Sequence, residues 1–228
     1  IGYANSAIRN CEIRDLPTNS TYAVLCEKGT DQRQDQTRLE NVIVDAVIGG
    51  ARHSTTVGLL IKGFTNSIWA KNCSLLRCKI GMKFDSSMNG VGPGGSSDHG
   101  AFHRITNCDV DQCKENGIEI SGGNTIWIDN PYAGSNGDNG IATDSNFDGV
   151  LWIRSPDCRG NGEHGIHIGG TNHNKIHIST PHCANNSVAA GQSGNYHGIN
   201  AVGNNHDIQI IGGQCGGDMF GNTAGQTP

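Results

Sequence analysis

The chain has 228 residues, enough for one domain with a continuous core. Its net charge of −5 excludes the basic stripe that a nucleic-acid partner requires, and no apolar run approaches the roughly 18 residues of a membrane span. Only 35% of residues are hydrophobic and 16% charged, while 34 are glycine, about twice the usual share, which describes a turn-rich β-protein rather than a helical one.

In chain order, the first elements are weak strand copies centred on Asn10-Cys11 and Asn41-Val42. A Gly-apolar-x-apolar motif follows, loosely at Gly58-Leu-Leu-Ile61 and then at Gly81-Met-Lys-Phe84. It recurs at Gly117-Ile-Glu-Ile120, Gly140-Ile-Ala-Thr143, Gly165-Ile-His-Ile168 and Gly198-Ile-Asn-Ala201. The glycines are 23, 36, 23, 25 and 33 residues apart. That is a base period of 23 to 25, with Gly- and Ser-rich insertions at 86–100 and 184–196. Between the glycines runs a second motif in register. Its copies begin at Ile68-Trp69, His103-Arg104, Ile126-Trp127, Leu151-Trp152, Ile176-His177 and Ile208-Gln209.

Each half-motif alternates apolar and polar residues, the period-2 signature of a half-buried strand. The connections are too short for helices between strands. A glycine at each strand start permits positive φ or close backbone approach. An asparagine between two strands suits a left-handed corner. A left-handed hexapeptide helix would show an apolar residue every six positions, and none persists. A sandwich would not keep side-chain identity in columns. The reading is an all-β, right-handed parallel β-helix of about eight coils with three short strands each, forming a single domain over 1–228. The chain begins at Ile1, not Met, and is expected to be a piece of a longer protein.

The coil length, the corner column Asn10, Asn41, Asn72, Asn107, Asn130 and the Gly-Ile-x-Ile strand resemble the pectate-lyase-like superfamily of right-handed β-helices, over about residues 6–215. The resemblance implies that Gly-Ile-x-Ile is the first strand of each coil, Ile-Trp-Ile-Asp the second and Cys-Asp-Val the third. Polygalacturonase motifs are absent, and Thr180-Pro-His182 only partly echoes the Asp-Pro-His of mannuronan epimerases. The run from His164 to Gly169 looks like a polygalacturonase Gly-His-Gly, but every coil carries that glycine. The irregular, Gly-rich coils look most like phage tailspikes. That likeness implies a homotrimer at the virion tail, folded in the bacterial cytoplasm, whose partner is a capsular or O-antigen polysaccharide. A secreted bacterial protein is the alternative location.

Reading down the columns gives the chemistry. Of the nine cysteines, an odd count, six stack in inward columns (Cys11, Cys73, Cys108; and Cys158, Cys183, Cys215), and the set is expected to be mostly free, buried thiols. The outward column of the second strand reads Trp69, Arg104, Trp127, Trp152, His177, Gln209 and holds all three tryptophans. Such a stripe suits either the apolar faces of sugar rings or a subunit contact. Trp69, Arg104, Trp127 and Trp152 are the candidate substrate-binding residues.

The outward column of the first strand is Lys83, Glu119, Ala142, His167, Asn200. Glu119 and Asp144 lie on adjacent coils in diagonal columns, within reach of a glycosidase carboxylate pair, and His167 could shuttle a proton. These three are the candidate catalytic residues. The plainer reading is a solvated face with a Lys83–Glu119 ion pair. Asp129 and Arg154 read as a structural ion pair, and Asp109, Tyr132, Asp157 and His182 as a second possible cleft. Asp98, His99, Asn195, Tyr196 and His197 could rim a groove.

The histidines at 164, 167, 173, 177 and 182 do not read as a metal site, because His-x-x-His on a strand puts its ends on opposite faces. No cofactor is expected. The leading functional expectation is a tailspike-like protein that binds and depolymerises a bacterial surface polysaccharide by glycoside hydrolysis. The alternatives are a non-enzymatic receptor-binding or structural module, and a bacterial polysaccharide lyase or epimerase with His167 as base.

Overall fold

The computed structural model describes residues 6–27, 34–63, 65–85, 101–170, 174–186, 197–203 and 207–215. They form a parallel β-helix, with no helix among the described residues. The first face stacks seven parallel strands: Tyr22–Glu27, Val57–Lys62, Ile80–Asp85, Ile118–Ile120, Ile141–Thr143, Ile166–Ile168 and Ile199–Ala201. The second face continues from the first halves of Ala7–Arg14 and Arg38–Asp45 through Trp69–Lys71, His103–Thr106, Thr125–Asp129, Val150–Arg154, Lys175–Ser179 and Asp207–Ile211. The third face uses the second halves of those two long strands. It goes on through Ser74–Leu76, Asp109–Asp111 and Tyr132–Gly134, a bridge at Asp157, then His182–Cys183 and Gln214–Cys215. The strand order per coil is the expected one, and the inserted segments at 86–100 and 187–196 lie outside the described residues.

The corner between the second and third faces is the asparagine column. Asn10, Asn41, Asn72, Asn107 and Asn130 all have φ between 50° and 54°. Asparagine tolerates this left-handed conformation because its short amide can bond locally. Here the amides also bond to each other along the axis, with Asn41 Nδ2 donating to Asn10 Oδ1 at 2.9 Å and Asn130 Nδ2 to Asn107 Oδ1 at 3.1 Å. Ser155 and Thr180, both at φ 47°, continue the column with a 2.9 Å hydroxyl contact.

A second asparagine ladder lies inside and is visible only in the folded chain. Asn136, Asn161 and Asn186 are at most 3% exposed. Asn161 Nδ2 donates to Asn186 Oδ1 at 3.0 Å and to Ala133 O at 3.1 Å. The repeated glycines make room for it. A Cβ on Gly140 would lie 2.6 Å from Gly165 O and 2.9 Å from Asn161 Nδ2. Close backbone approach, not positive φ, is therefore what keeps glycine there.

The rest of the interior is apolar. Val44, Leu75, Val110, Ala133, Cys158 and Cys183 form one wholly buried column, and Ile105, Ile128, Ile153 and Ile178 another. Burying such columns coil on coil is the main stabilising term of a solenoid. All nine cysteines are free and seven are buried. Burial pushes the Cys26 thiol up to about 12, the behaviour of an inert core residue.

Candidate functional site

The three faces present very different surfaces. On the first face the outward column runs Leu60, Lys83, Glu119, Ala142, His167, Asn200 in exact register. Its members are partly or wholly buried, and Ala142 is only 6% exposed. A small outward residue sunk between larger ones makes a depression. Glu119 borders it on one side, His167 on the other, and Asp144 stands just past the end of Ile141–Thr143. The structure thus brings together the three residues expected from sequence to be catalytic.

Glu119 is already engaged. Its Oε1 lies 2.8 Å from Lys83 Nζ, and its Oε2 accepts from Asn116 Nδ2 at 3.0 Å. Burial works against the Lys83 charge, but the hydrogen bond it donates to Glu119 and the charges of Glu119, Asp85 and Asp144 outweigh it, and the lysine pKa lies above its ordinary value. Asp144 accepts the backbone N–H of Asn146 at 2.8 Å, which ties its carboxylate to the following turn.

The residues just before Gly117, Gly140, Gly165 and Gly198 stand beside the same column. They are Asn116, Asn139, His164 and His197, and each of the first three receives a backbone N–H from the next coil. Asn139 N–H donates to Asn116 Oδ1 at 3.2 Å, His164 N–H to Asn139 Oδ1 at 3.1 Å, and His197 N–H to His164 Nδ1 at 2.8 Å. Sequence reasoning passed over Asn116 and Asn139, although the repeated Asn-Gly and His-Gly pairs were the available signal. One position earlier stand Glu115, Asp138 and Glu163. Burial, then the charges of Glu163, Glu115 and Glu119, raise the Asp138 carboxyl.

His164 and His167 do not point to opposite faces as the strand rule predicts. His164 precedes the strand, so the turn at Gly165 decouples it from strand parity. Their rings stack at 5.3 Å with 13° between planes, and His197 also stacks on His164, at 5.8 Å. Burial, then the neighbouring imidazoles of His167 and His197, lower the His164 pKa to about 4. Burial also lowers that of His167. Both rings are therefore neutral at pH 7. Among the described residues no group of three His, Cys, Asp or Glu could hold a metal ion, and His173 lies outside them. So do Asp98, His99, Asn195 and Tyr196, leaving His197 as the one expected rim residue that is described.

The tryptophans occupy the second face, away from this groove. Trp69, Arg104, Trp127, Trp152, His177 and Gln209 form the expected single column, and Arg38 extends it by one coil. It is a ridge, with Trp69 43% and Trp152 37% exposed. Stacked coils also stack the outward side chains. The Arg38 guanidinium sits 4.8 Å from the Trp69 centroid and that of Arg104 5.4 Å from Trp127. His177 lies 3.8 Å from Trp152 at 11°, and Phe102 stacks on Trp127 at 6.2 Å. Each indole thus has a neighbour against one ring face. Beside the ridge, Asp129 and Arg154 form the expected ion pair, at 2.5 Å and 2.8 Å.

The third face carries Asp109, Tyr132, Asp157 and His182 in register. Asp157 is near Arg159 at 2.7 Å and His182 at 3.2 Å. Among the described residues no cation pairs with Asp109, and burial, then Asp111, raise its carboxyl.

No family model matches the chain, and no curated protein does. Among solved structures, the A-module of a mannuronan C-5 epimerase from Azotobacter vinelandii is similar at 13% identity with a TM-score of 0.38, over 90% of this chain and 74% of that one.

Proposed function

We propose that the chain acts on an acidic polysaccharide and that the first-face groove removes the proton next to a uronate carboxylate, as a lyase or an epimerase. The observation that supports this most is the depression over Ala142, bordered by the neutral imidazole of His167 and, beyond Glu119, by the charged Lys83. A neutral imidazole is a competent base at pH 7. Lys83 and the amide of Asn116 are the groups suited to a carboxylate whose charge grows as the α-proton leaves. In elimination, the C5 proton passes to His167, the C5–H electrons form a C4=C5 bond, and the C4–O bond breaks with its pair on the leaving oxygen. In epimerisation, the C5–H electrons stay instead as a carbanion delocalised into the uronate carboxylate, the C4–O bond stays intact, and C5 takes a proton from water on the opposite ring face.

Hydrolysis is the second reading, favoured by the diagonal placement of Glu119 and Asp144 on adjacent coils in this groove. It belongs with a tailspike-like depolymerase. The test is incubation with a panel of uronate-containing, capsular and O-antigen polysaccharides, in heavy water and in ordinary water. Unsaturated chain ends indicate a lyase, and deuterium at C5 without cleavage an epimerase. New reducing ends without any unsaturated chain ends overturn proton abstraction in favour of hydrolysis. An unchanged panel refutes both chemistries and leaves a binding module.

A further inference from the structure

We infer that Asn200 turns its side-chain oxygen towards both His164 and His167, and so holds His167 with its proton on Nδ1 and a bare Nε2 facing away. The inference deepens the proton-abstraction reading of this groove and rests on it for its meaning, but not for its geometry.

His164 Nδ1 lies 2.8 Å from the backbone nitrogen of His197, and a backbone N–H can only donate. That ring nitrogen therefore carries a lone pair. A neutral imidazole has one N–H, so the His164 proton is on Nε2. One terminal atom of the Asn200 amide lies 3.1 Å from His164 Nε2 and 3.1 Å from His167 Nδ1. Were this atom the amide nitrogen Nδ2, His164 would have to accept at both ring nitrogens and keep no proton. An imidazolate is not available near pH 7. The two ends of an amide have the same shape, and the hydrogen-bond network decides which is which. Placed here, the oxygen accepts His164 Nε2–H with one lone pair and His167 Nδ1–H with the other.

The consequence falls on His167. Its proton is held at Nδ1, so Nε2 keeps the lone pair that abstracts a proton. A Cβ on Gly169 would come within 3.1 Å of that Nε2, and glycine leaves the approach open. Asn200 is thus a positioning residue. It passes the orientation set by the His197 backbone, through His164, to the base.

The test is long-range proton–nitrogen spectroscopy of the chain labelled with ¹⁵N-histidine, near pH 8 and without substrate. The expected spectrum has His164 protonated at Nε2 and His167 at Nδ1. Asn200→Asp, whose carboxylate only accepts, keeps both tautomers. Asn200→Leu releases His167 towards the Nε2–H form. On an active polymer the leucine variant loses kcat at least tenfold and the aspartate variant recovers part of it. A wild-type His167 carrying its proton on Nε2, or a tautomer switched by Asn200→Asp, overturns the inference. Should the leucine variant not fold, the other two spectra still decide. If the tautomers are as stated and no polymer reacts, proton abstraction fails as a function while the assignment of Asn200 stands.

Discussion

Asn161 takes two hydrogen bonds from Asn136 on its single side-chain oxygen, one from the backbone nitrogen at 3.1 Å and one from Nδ2 at 3.1 Å. The pair belongs to a buried ladder, so its removal strands donors where no water can reach. Asn161→Ala should cost about 3 kcal/mol or more, because several buried groups lose partners together. The outer ladder faces solvent. Asn107→Ala should cost only about 1 kcal/mol, mostly from placing alanine at φ 51°. Denaturant midpoints of the two variants check the order. Equal losses would mean that burial does not set the worth of these ladders.

His164 ties stability to pH. Its folded pKa is about 4 and its unfolded value about 6.5. Between these values the unfolded chain binds a proton that the folded chain does not. The contribution is therefore complete above pH 6.5 and is lost as pH falls towards 4. The loss from this one group, 6% exposed, is at most about 3 kcal/mol. His164→Gln should flatten the fall in thermal midpoint between pH 7 and pH 4.5.

The same burial sets the pH range of the base. His167 must be neutral to abstract a proton, and its pKa is lowered. The acid limb of kcat/KM should therefore lie below the ordinary imidazole value near 6.5. A limb at or above that value would mean that another group is the base.

Variants of the groove separate the two chemistries. His167→Ala should lower kcat by about 100-fold or more if it is the base. Glu119→Gln keeps one acceptor oxygen, for Lys83 or Asn116 but not both, and should cost less than that. Hydrolysis reverses the order, with Glu119→Gln and Asp144→Asn each abolishing cleavage and His167→Ala less severe. Product release by all three variants on one polymer decides.

The tryptophan ridge is on another face, so its effect should be on binding alone. Trp127→Ala should raise the Kd for polymer several-fold and leave kcat at saturating polymer unchanged. If it instead lowers the mass of the particle in solution, the ridge is a contact between copies.

Much of this molecule is written in short, local patterns. Period-2 alternation fixes which residues of a strand point outward, and a repeat of 23 to 25 residues fixes which outward residues share a column. The tryptophan column, the Lys83–Glu119–Ala142–His167–Asn200 column and the outer asparagine corner follow from those two facts. Parity holds only within strands, however. His164 lies before its strand, and only the turn at Gly165 lays its ring against His167. Spacing could align Asn136, Asn161 and Asn186, but composition would have put amides outside. Their place in the core depends on glycines in the adjoining column that let backbone and amide approach within van der Waals range. Burial is likewise a property of the stacked coils. It makes the first face a groove and the second a ridge, and it turns two histidines into neutral rings, because the cost of charging a group depends on what surrounds it and not on its neighbours in sequence.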